Sequence, residues 1–281
     1  MRTVALSGAV KVPALGMGTW MMGDSRFSRA AELAALREGI DLGLTLIDTA
    51  EMYGNGRSEQ LVGEAIAGRR SEVFLVSKVL PSNASRRGTV AACEQSLKNL
   101  NTDCIDLYLL HWRGSVPFAE TLEAFARLQR AGKIKHYGVS NLGLADMREC
   151  WHAAGGNAIV TNQVLYNLSR RGMEFDLLPW LREQKITTMA YSPLEQARLL
   201  DNAGLKAVAK QAGILPAQLA LAWLLRNDDV IVIPSLHGWN RLPAASREAI
   251  RKRVEQGTGL VLIHPTTGIP APDDPPSQRP M

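Results

Sequence analysis

The chain has 281 residues, of which 46% are hydrophobic and 21% charged, and carries a formal net charge of +5. These fractions exclude the disordered and fibrous classes and supply enough apolar material for a large core. No apolar run reaches the roughly 18 residues of a membrane span, which predicts no membrane partner, and Met1–Gly16 lacks the unbroken apolar stretch of a secretory signal.

In chain order, a hairpin-like segment, Val4–Val12, turns at Ser7-Gly8 and is placed to plug the floor of a barrel. Short apolar strands then alternate with amphipathic helices. Strand Ala14–Thr19 leads to helix Ser28–Leu42, Thr45–Ala50 to Ser58–Gly68, Val73–Val79 to Thr89–Leu100, and Asp106–His111 to Pro117–Ala131. Strand His136–Asn141 leads to Ala145–Ala154, Ala158–Val164 to Phe175–Gln184, and Thr187–Pro193 to Leu205–Ala212 with Pro216–Arg226; Val230–Ser235 closes the series. Runs such as VFLVSK and DLYLLH are apolar on both faces, as strands covered on both sides must be. Punctuation supports the helices: Ser58 as an N-cap, Pro117 in a first turn, Gly132 and Gly213 as C-terminal stops. Eight regular repeats predict a single closed (β/α)8 TIM barrel rather than an open sheet. The barrel domain is assigned to residues 1–257. Residues 258–281 form an atypical tail whose end is crowded by Pro270, Pro272, Pro275, Pro276 and Pro280, a composition that predicts mobility.

Cys93, Cys104 and Cys150 are odd in number and widely spaced, with no C-x-x-C pair and no Cys/His cluster. That pattern predicts neither a disulfide framework nor a metal site, a buried inert thiol at Cys104, and a reducing, cytoplasmic compartment. Lys and Arg are interleaved with Glu and Asp along the helices, so a nucleic-acid partner is not predicted. His136 and His152 read as surface groups without a role, and the chain reads as a monomer acting on a small molecule.

In such a barrel the chemistry sits at the C-terminal ends of the strands. Asp48 ends the second strand and Tyr53 lies in the loop after it, Lys78 ends the third, and His111 and Trp112 end the fourth. A single ionisable group there is usually structural, but four at one end of three adjacent strands converge on a point. A phenol titrates near pKa ~10, a nearby ammonium favours its ionised form, and a carboxylate behind the ammonium keeps that charged. Asp48, Lys78 and Tyr53 supply those parts. The expectation is that Lys78 lowers the Tyr53 value, while a neutral His111 donates to a carbonyl oxygen. Such a group protonates an oxygen while another reactant arrives at carbon. Two other readings stay open: a Schiff-base aldolase on Lys78, opposed by Asp48, and a cofactor-binding regulatory or inactive barrel.

The chain resembles the aldo-keto reductases over residues 1–234, with a particular likeness to bacterial members such as methylglyoxal and diketogluconate reductases. The residues carrying the likeness are GMGTW at 16–20, LIDTAEMYG at 46–54, LVSKV at 75–79, LYLLHW at 107–112, GVSNL at 138–142, TNQVLY at 161–166, AYSPL at 190–194 and LAWLLR at 221–226. The resemblance implies an NADPH-dependent reductase of small aldehydes or ketoaldehydes. It implies Tyr53 as general acid, Lys78 and Asp48 as its tuning pair, and His111 as the carbonyl-orienting group. It further implies Ser140, Asn141 and Gln163 on the nicotinamide carboxamide, Tyr191 stacked on the ring, and Ser192 and Leu194 along the pyrophosphate. Gly18 and Thr19 also fall to the cofactor, and Trp20 and Trp112 to the substrate pocket. Trp20 and Trp112 as core aromatics, or Ser140-Asn141 as a helix cap, are the plainer alternatives.

After the eighth strand the chain departs from the family. Relatives read Ile-Pro-Lys there, with the lysine near the 2′-phosphate; this chain reads IPSLHGWNRLPAA, with Ser235 in the lysine's place, Arg241 at the arginine spacing and Ala245 where Asn is expected. Ser246–Gln256 reads as a basic helix and Gly259–His264 as an apolar run, neither matching the family. A hydrogen bond to a charged group contributes about 1.5–3 kcal/mol, so the missing contact opens the site to NADH. The NADPH-over-NADH preference is expected to be about tenfold weaker for each 1.4 kcal/mol lost. Dissociation constants for both cofactors check this: Ser235→Lys should raise the ratio and Arg241→Ala should lower it, and an unmoved ratio in both refutes the assignment.

Overall fold

The computed structural model describes residues 2–7, 10–24 and 28–235. A hairpin comes first, β1 (Thr3–Ser7) antiparallel to β2 (Val10–Pro13). Eight parallel strands follow: β3 (Met17–Gly18), β4 (Leu46–Asp48), β5 (Phe74–Val79), β6 (Ile105–Leu110), β7 (Ile134–Ser140), β8 (Thr161–Leu165), β9 (Thr187–Tyr191) and β10 (Val230–Ile233). They pair in chain order from β3 to β10. Bridges Leu15 to Val232 and Gly18 to Ser235, with Gly16 N–H donating to Val232 O, join the first strand to the last and close a (β/α)8 barrel.

The outer helices are α1 (Arg29–Asp41), α2 (Arg57–Ala65), α3 (Arg86–Asn99), α4 (Phe118–Arg130), α5 (Leu144–His152), α6 (Leu177–Glu183), α7 (Ala203–Gln211) and α8 (Pro216–Leu225). Each predicted strand and helix up to residue 235 is present, with ends moved by a few residues. Among the described residues no single helix is long and apolar enough to cross a membrane. Arg241, Ala245, the 246–256 helix, the 259–264 run and the boundary at 257 lie outside the described residues.

Strand alternation sorts the core into two shells. Leu75, Val79, Tyr108, Leu110 and Val232 point outward into a layer shared with the helices. Leu46, Val76, Leu107, Leu109, Met189, Ile231 and Ile233 point into the barrel and meet Val4, Leu6 and Val12 of the hairpin. Thr187 Oγ1, at the start of β9, donates to Ala5 O at 2.8 Å, so the hairpin does seal the floor. Gly39 in α1 lets that helix lie on β3: a Cβ there would stand 2.1 Å from Met17 Sδ.

Two local expectations are corrected. Ser58 does not cap α2; Gly56 does, in the left-handed region at φ 83, and the buried Ser58 hydroxyl instead faces Thr19 Oγ1 at 2.8 Å and Thr49 Oγ1 at 3.2 Å. Cys104 is only half-buried just before β6, whereas Cys93 and Cys150 are buried; burial pushes those two thiols up to about 12, which keeps them inert.

Asp106, near the start of β6, joins three elements at the barrel's lower end. One of its oxygens accepts from Leu75 N–H at 2.9 Å and from Arg70 at 2.7 Å, and the other lies 2.6 Å from Lys135 Nζ. Asp106→Ala leaves the fully buried Leu75 amide without its acceptor. We expect a loss of about 2–3 kcal/mol, discounted for the partly exposed cations, with Asp106→Asn losing less. Urea unfolding reads it; a loss below about 0.5 kcal/mol, the range of neutral surface changes, contradicts it.

Candidate active site

The alternation that fills the barrel interior also builds the site. In five of the strands an apolar inward position is succeeded at the upper end by a polar or aromatic one. Leu46 is succeeded by Asp48, Val76 by Lys78, Leu107 and Leu109 by His111, Met189 by Tyr191, and Ile231 and Ile233 by Ser235. Ser140 and Gln163 end the inward rows of β7 and β8. Gly18, Asp48, Tyr53, His111, Ser140, Asn141, Gln163, Tyr191 and Ser235 line one cavity of about 330 Å³, within the range of small-molecule pockets.

Tyr53 reaches the cavity through an unusual turn. After β4 the chain makes a 3-10 turn over Tyr53–Gly56 in which Gly54, Asn55 and Gly56 all have positive φ (57°, 52° and 83°). Glycine and asparagine accept that region at little cost. The reversal is therefore tight enough to fold the Tyr53 ring back over β5 before α2 begins.

Lys78 is fully buried and its three protons are all used. Nζ donates to Asp48 Oδ2 at 2.8 Å, to Thr49 O at 2.8 Å and to Tyr53 Oη at 3.4 Å. Burial works against its charge, but Asp48 first and Tyr53 second outweigh it and hold the ammonium above its ordinary value. A charged amine cannot attack a carbonyl, so the aldolase reading of Lys78 loses its nucleophile. Gln163 Nε2 donates to the other Asp48 oxygen at 2.8 Å. Asp48 is thus fixed on both sides.

The phenol behaves differently from the expectation. Burial raises the Tyr53 value, Lys78 lowers it, Asp48 raises it again, and the net shift is upward. Tyr53 therefore remains a neutral phenol near neutral pH. His111 is held down to about 3, chiefly by burial and then by Lys78, so it is neutral as well. Its ring lies edge-on to Tyr53 at 5.8 Å between centroids and 4.7 Å from Trp112.

The remaining predicted residues fall into two groups. Asn141, at φ 57°, donates to His111 O at 3.1 Å and accepts from Tyr191 Oη at 2.8 Å; Ser140 Oγ donates to Gln163 O at 2.8 Å. Neither residue caps α5, whose N-cap is Gly143. Ser192 and Leu194 line the cavity, as do Trp20 and Trp112, which are 41% and 37% exposed and so form walls rather than core. Thr19 does not line it: fully buried, its hydroxyl donates to Asp48 O at 3.0 Å from behind the wall.

Sequence reading missed Met52, Gln196 and Ala197, all cavity-lining. Met52 was signalled only by its place beside Tyr53. Residues 195–197 have φ values of 52°, 50° and 73°, a left-handed turn made without glycine, so composition gave no sign of it. That turn is held by the buried carboxylate of Glu195, which accepts from Arg170 at 2.7 Å and from Asn167 at 2.7 Å.

Known proteins resemble the chain in sequence and in fold. The chain is 53% identical over 238 residues to methylglyoxal reductase YeaE of Escherichia coli strain K12, covering 83% of this chain and 84% of the relative. It is 33% identical over 232 residues to the glyoxal reductase of Bacillus subtilis strain 168, covering 83% and 81%. An aldo-keto reductase from Klebsiella pneumoniae, solved in complex with NADPH, superposes with a TM-score of 0.83 at 46% identity over 92% of this chain and 90% of that one. The family model described as aldo/keto reductase matches residues 14–247, and the chain belongs to that family.

Proposed function

We propose that this chain reduces small aldehydes and ketoaldehydes, methylglyoxal among them, with NADPH as the reductant and Tyr53 as the general acid. The observation that carries the reading is the direction of one hydrogen bond. Lys78 donates to Tyr53 Oη, so the phenol oxygen is an acceptor on that side and its own proton is left for the cavity. The methylglyoxal and glyoxal reductases among the relatives, and the NADPH bound to the Klebsiella enzyme, support the choice of substrate and cofactor.

The residues present fit a nicotinamide cofactor. Tyr191 offers an aromatic ring beside the amides of Asn141 and Gln163 and the hydroxyl of Ser140, a donor and acceptor set suited to a carboxamide-bearing ring. The 195–197 turn lines the same cavity near Ser192 and Leu194, where left-handed backbone forms the kind of concavity that suits a pyrophosphate. When bound, the reduced cofactor supplies the hydride.

The chain's own residues do the rest. Neutral His111 donates to the carbonyl oxygen and points it at Tyr53. Its Nδ1 is buried without a partner among the described residues, so the tautomer carrying the proton on Nε2 strands no buried N–H. As negative charge grows on that oxygen, the Tyr53 phenol transfers its proton, and the Lys78 ammonium stabilises the phenolate left behind. Trp20, Trp112 and Met52 keep water from the reacting carbon and give an aromatic or methyl substituent an apolar wall.

Nicotinamide absorbance with methylglyoxal and an aromatic aldehyde, run in parallel with NADPH and NADH, tests the activity. Tyr53→Phe should lower kcat by about 10²–10⁴-fold with cofactor affinity unchanged; near wild-type turnover refutes the acid assignment. The pH profile gives a second check. A raised Tyr53 value keeps the reductive form through neutral pH, so the rate should fall only on the alkaline side, above an ordinary phenol. With His111 near 3 it contributes no loss between pH 5 and 8. A kcat decline centred near pH 6.5 contradicts the neutral imidazole, and Lys78→Met should displace the alkaline limb.

A further inference from the structure

The loop that carries Trp20 is tied down at both ends. On the near side Thr19 sits in the buried hydroxyl cluster with Ser58 and Thr49. On the far side both backbone polar groups of Gly23 are taken by side chains. Gly23 N–H donates to Glu32 Oε2 of α1 at 3.0 Å, and Gly23 O accepts from Arg57 Nε of α2 at 2.9 Å. Trp20, Met21 and Met22 lie between the anchors. Met21 is held at φ 67°, and Met22 is buried in the core.

The second anchor is close-fitting. Gly23 has φ 74°, and a Cβ there would stand 2.8 Å from the Arg57 backbone. A Cβ on Gly54, next to Tyr53, would lie 3.6 Å from Gly23 O, so the clamp rests on the turn that delivers the general acid. Glu32 is only 4% exposed on α1 and does not itself line the cavity. Burial raises its carboxyl, partly countered by the Gly23 N–H and by Arg29. What Gly23 requires is an acceptor oxygen, which a charged carboxylate, a neutral carboxyl or an amide all provide.

We propose that Glu32, with Arg57, is a positioning residue that fixes the Trp20 wall relative to Tyr53 and so sets which carbonyl substituents the cavity accepts. This rests on the carbonyl-reductase reading. Methylglyoxal is small enough to be held by Tyr53 and His111, whereas an aromatic aldehyde must also lie against Trp20. Misplacing that wall penalises the aromatic substrate and spares the small one.

The experiment compares wild type with Glu32→Leu, Glu32→Gln and Gly23→Ala, each first shown to unfold cooperatively. Steady-state kinetics with methylglyoxal and benzaldehyde are combined with hydrogen exchange at the Gly23 amide. Glu32→Leu and Gly23→Ala should raise the benzaldehyde KM on the order of tenfold, with the methylglyoxal KM and NADPH affinity unchanged. Glu32→Gln should stay near wild type. Gly23 exchange should quicken in Glu32→Leu and not in Glu32→Gln. Equal KM ratios in wild type and Glu32→Leu, or a Glu32→Gln variant as damaged as Glu32→Leu, overturn the proposal. Should wild type reduce neither aldehyde, the activity reading falls by itself, and unchanged Gly23 exchange in Glu32→Leu then overturns the clamp as well.

Discussion

A single ammonium buried in the mouth of a barrel constrains everything around it. Lys78 is wholly out of solvent, and an unpaired charge there would be neutralised or would unfold its surroundings. Asp48 on the neighbouring strand supplies the countercharge, the Thr49 carbonyl a second acceptor and Tyr53 a third. Because parallel pairing places Asp48 beside Val76 and Lys78 beside Leu109, the inward-facing ion pair is set by register. Slipping either strand by one residue would turn its charge into the helix layer.

The same ammonium divides the titratable groups by role. It disfavours a second positive charge at His111, which burial had already made costly, and the imidazole stays a neutral donor. It favours the Tyr53 phenolate without overcoming desolvation, so the phenol keeps its proton at rest. The role of general acid proposed for Tyr53 needs both properties: protonated beforehand, and stabilised once the proton has gone. Gln163, through its bond to Asp48, ties this pair to the wall that also carries Ser140, Asn141 and Tyr191.

Loops above the strands hold their shape through buried polar contacts rather than apolar packing alone. Thr19, Ser58 and Thr49 join two neighbouring β/α units by hydroxyls, and Glu195 with Asn167 and Arg170 holds a left-handed turn of ordinary residues. Each such turn residue costs roughly 1–2 kcal/mol, a strain tolerated where the surroundings over-determine the backbone and common at functional sites.

The sequence by itself determined the barrel and the convergence of its chemistry. Strand period and apolar runs mark all eight strands, and Asp48, Lys78 and His111 stand out because each is the polar residue continuing an apolar inward row. Short-range periodicity suffices for this, since it needs no knowledge of partners. Tertiary structure alone decided the rest. The upward shift at Tyr53 depends on how much water the closed barrel excludes, which no local spacing encodes. Ser58 reads as a cap from its neighbours, yet its hydroxyl is claimed by Thr19, 39 positions away. Thr19 reads as a cavity residue and lies behind the wall. The turn at 195–197 and the Gly23 clamp are fixed by side chains from other units, Arg170 and Asn167 in one case, Glu32 and Arg57 in the other. Those contacts exist only once the barrel has brought the units together.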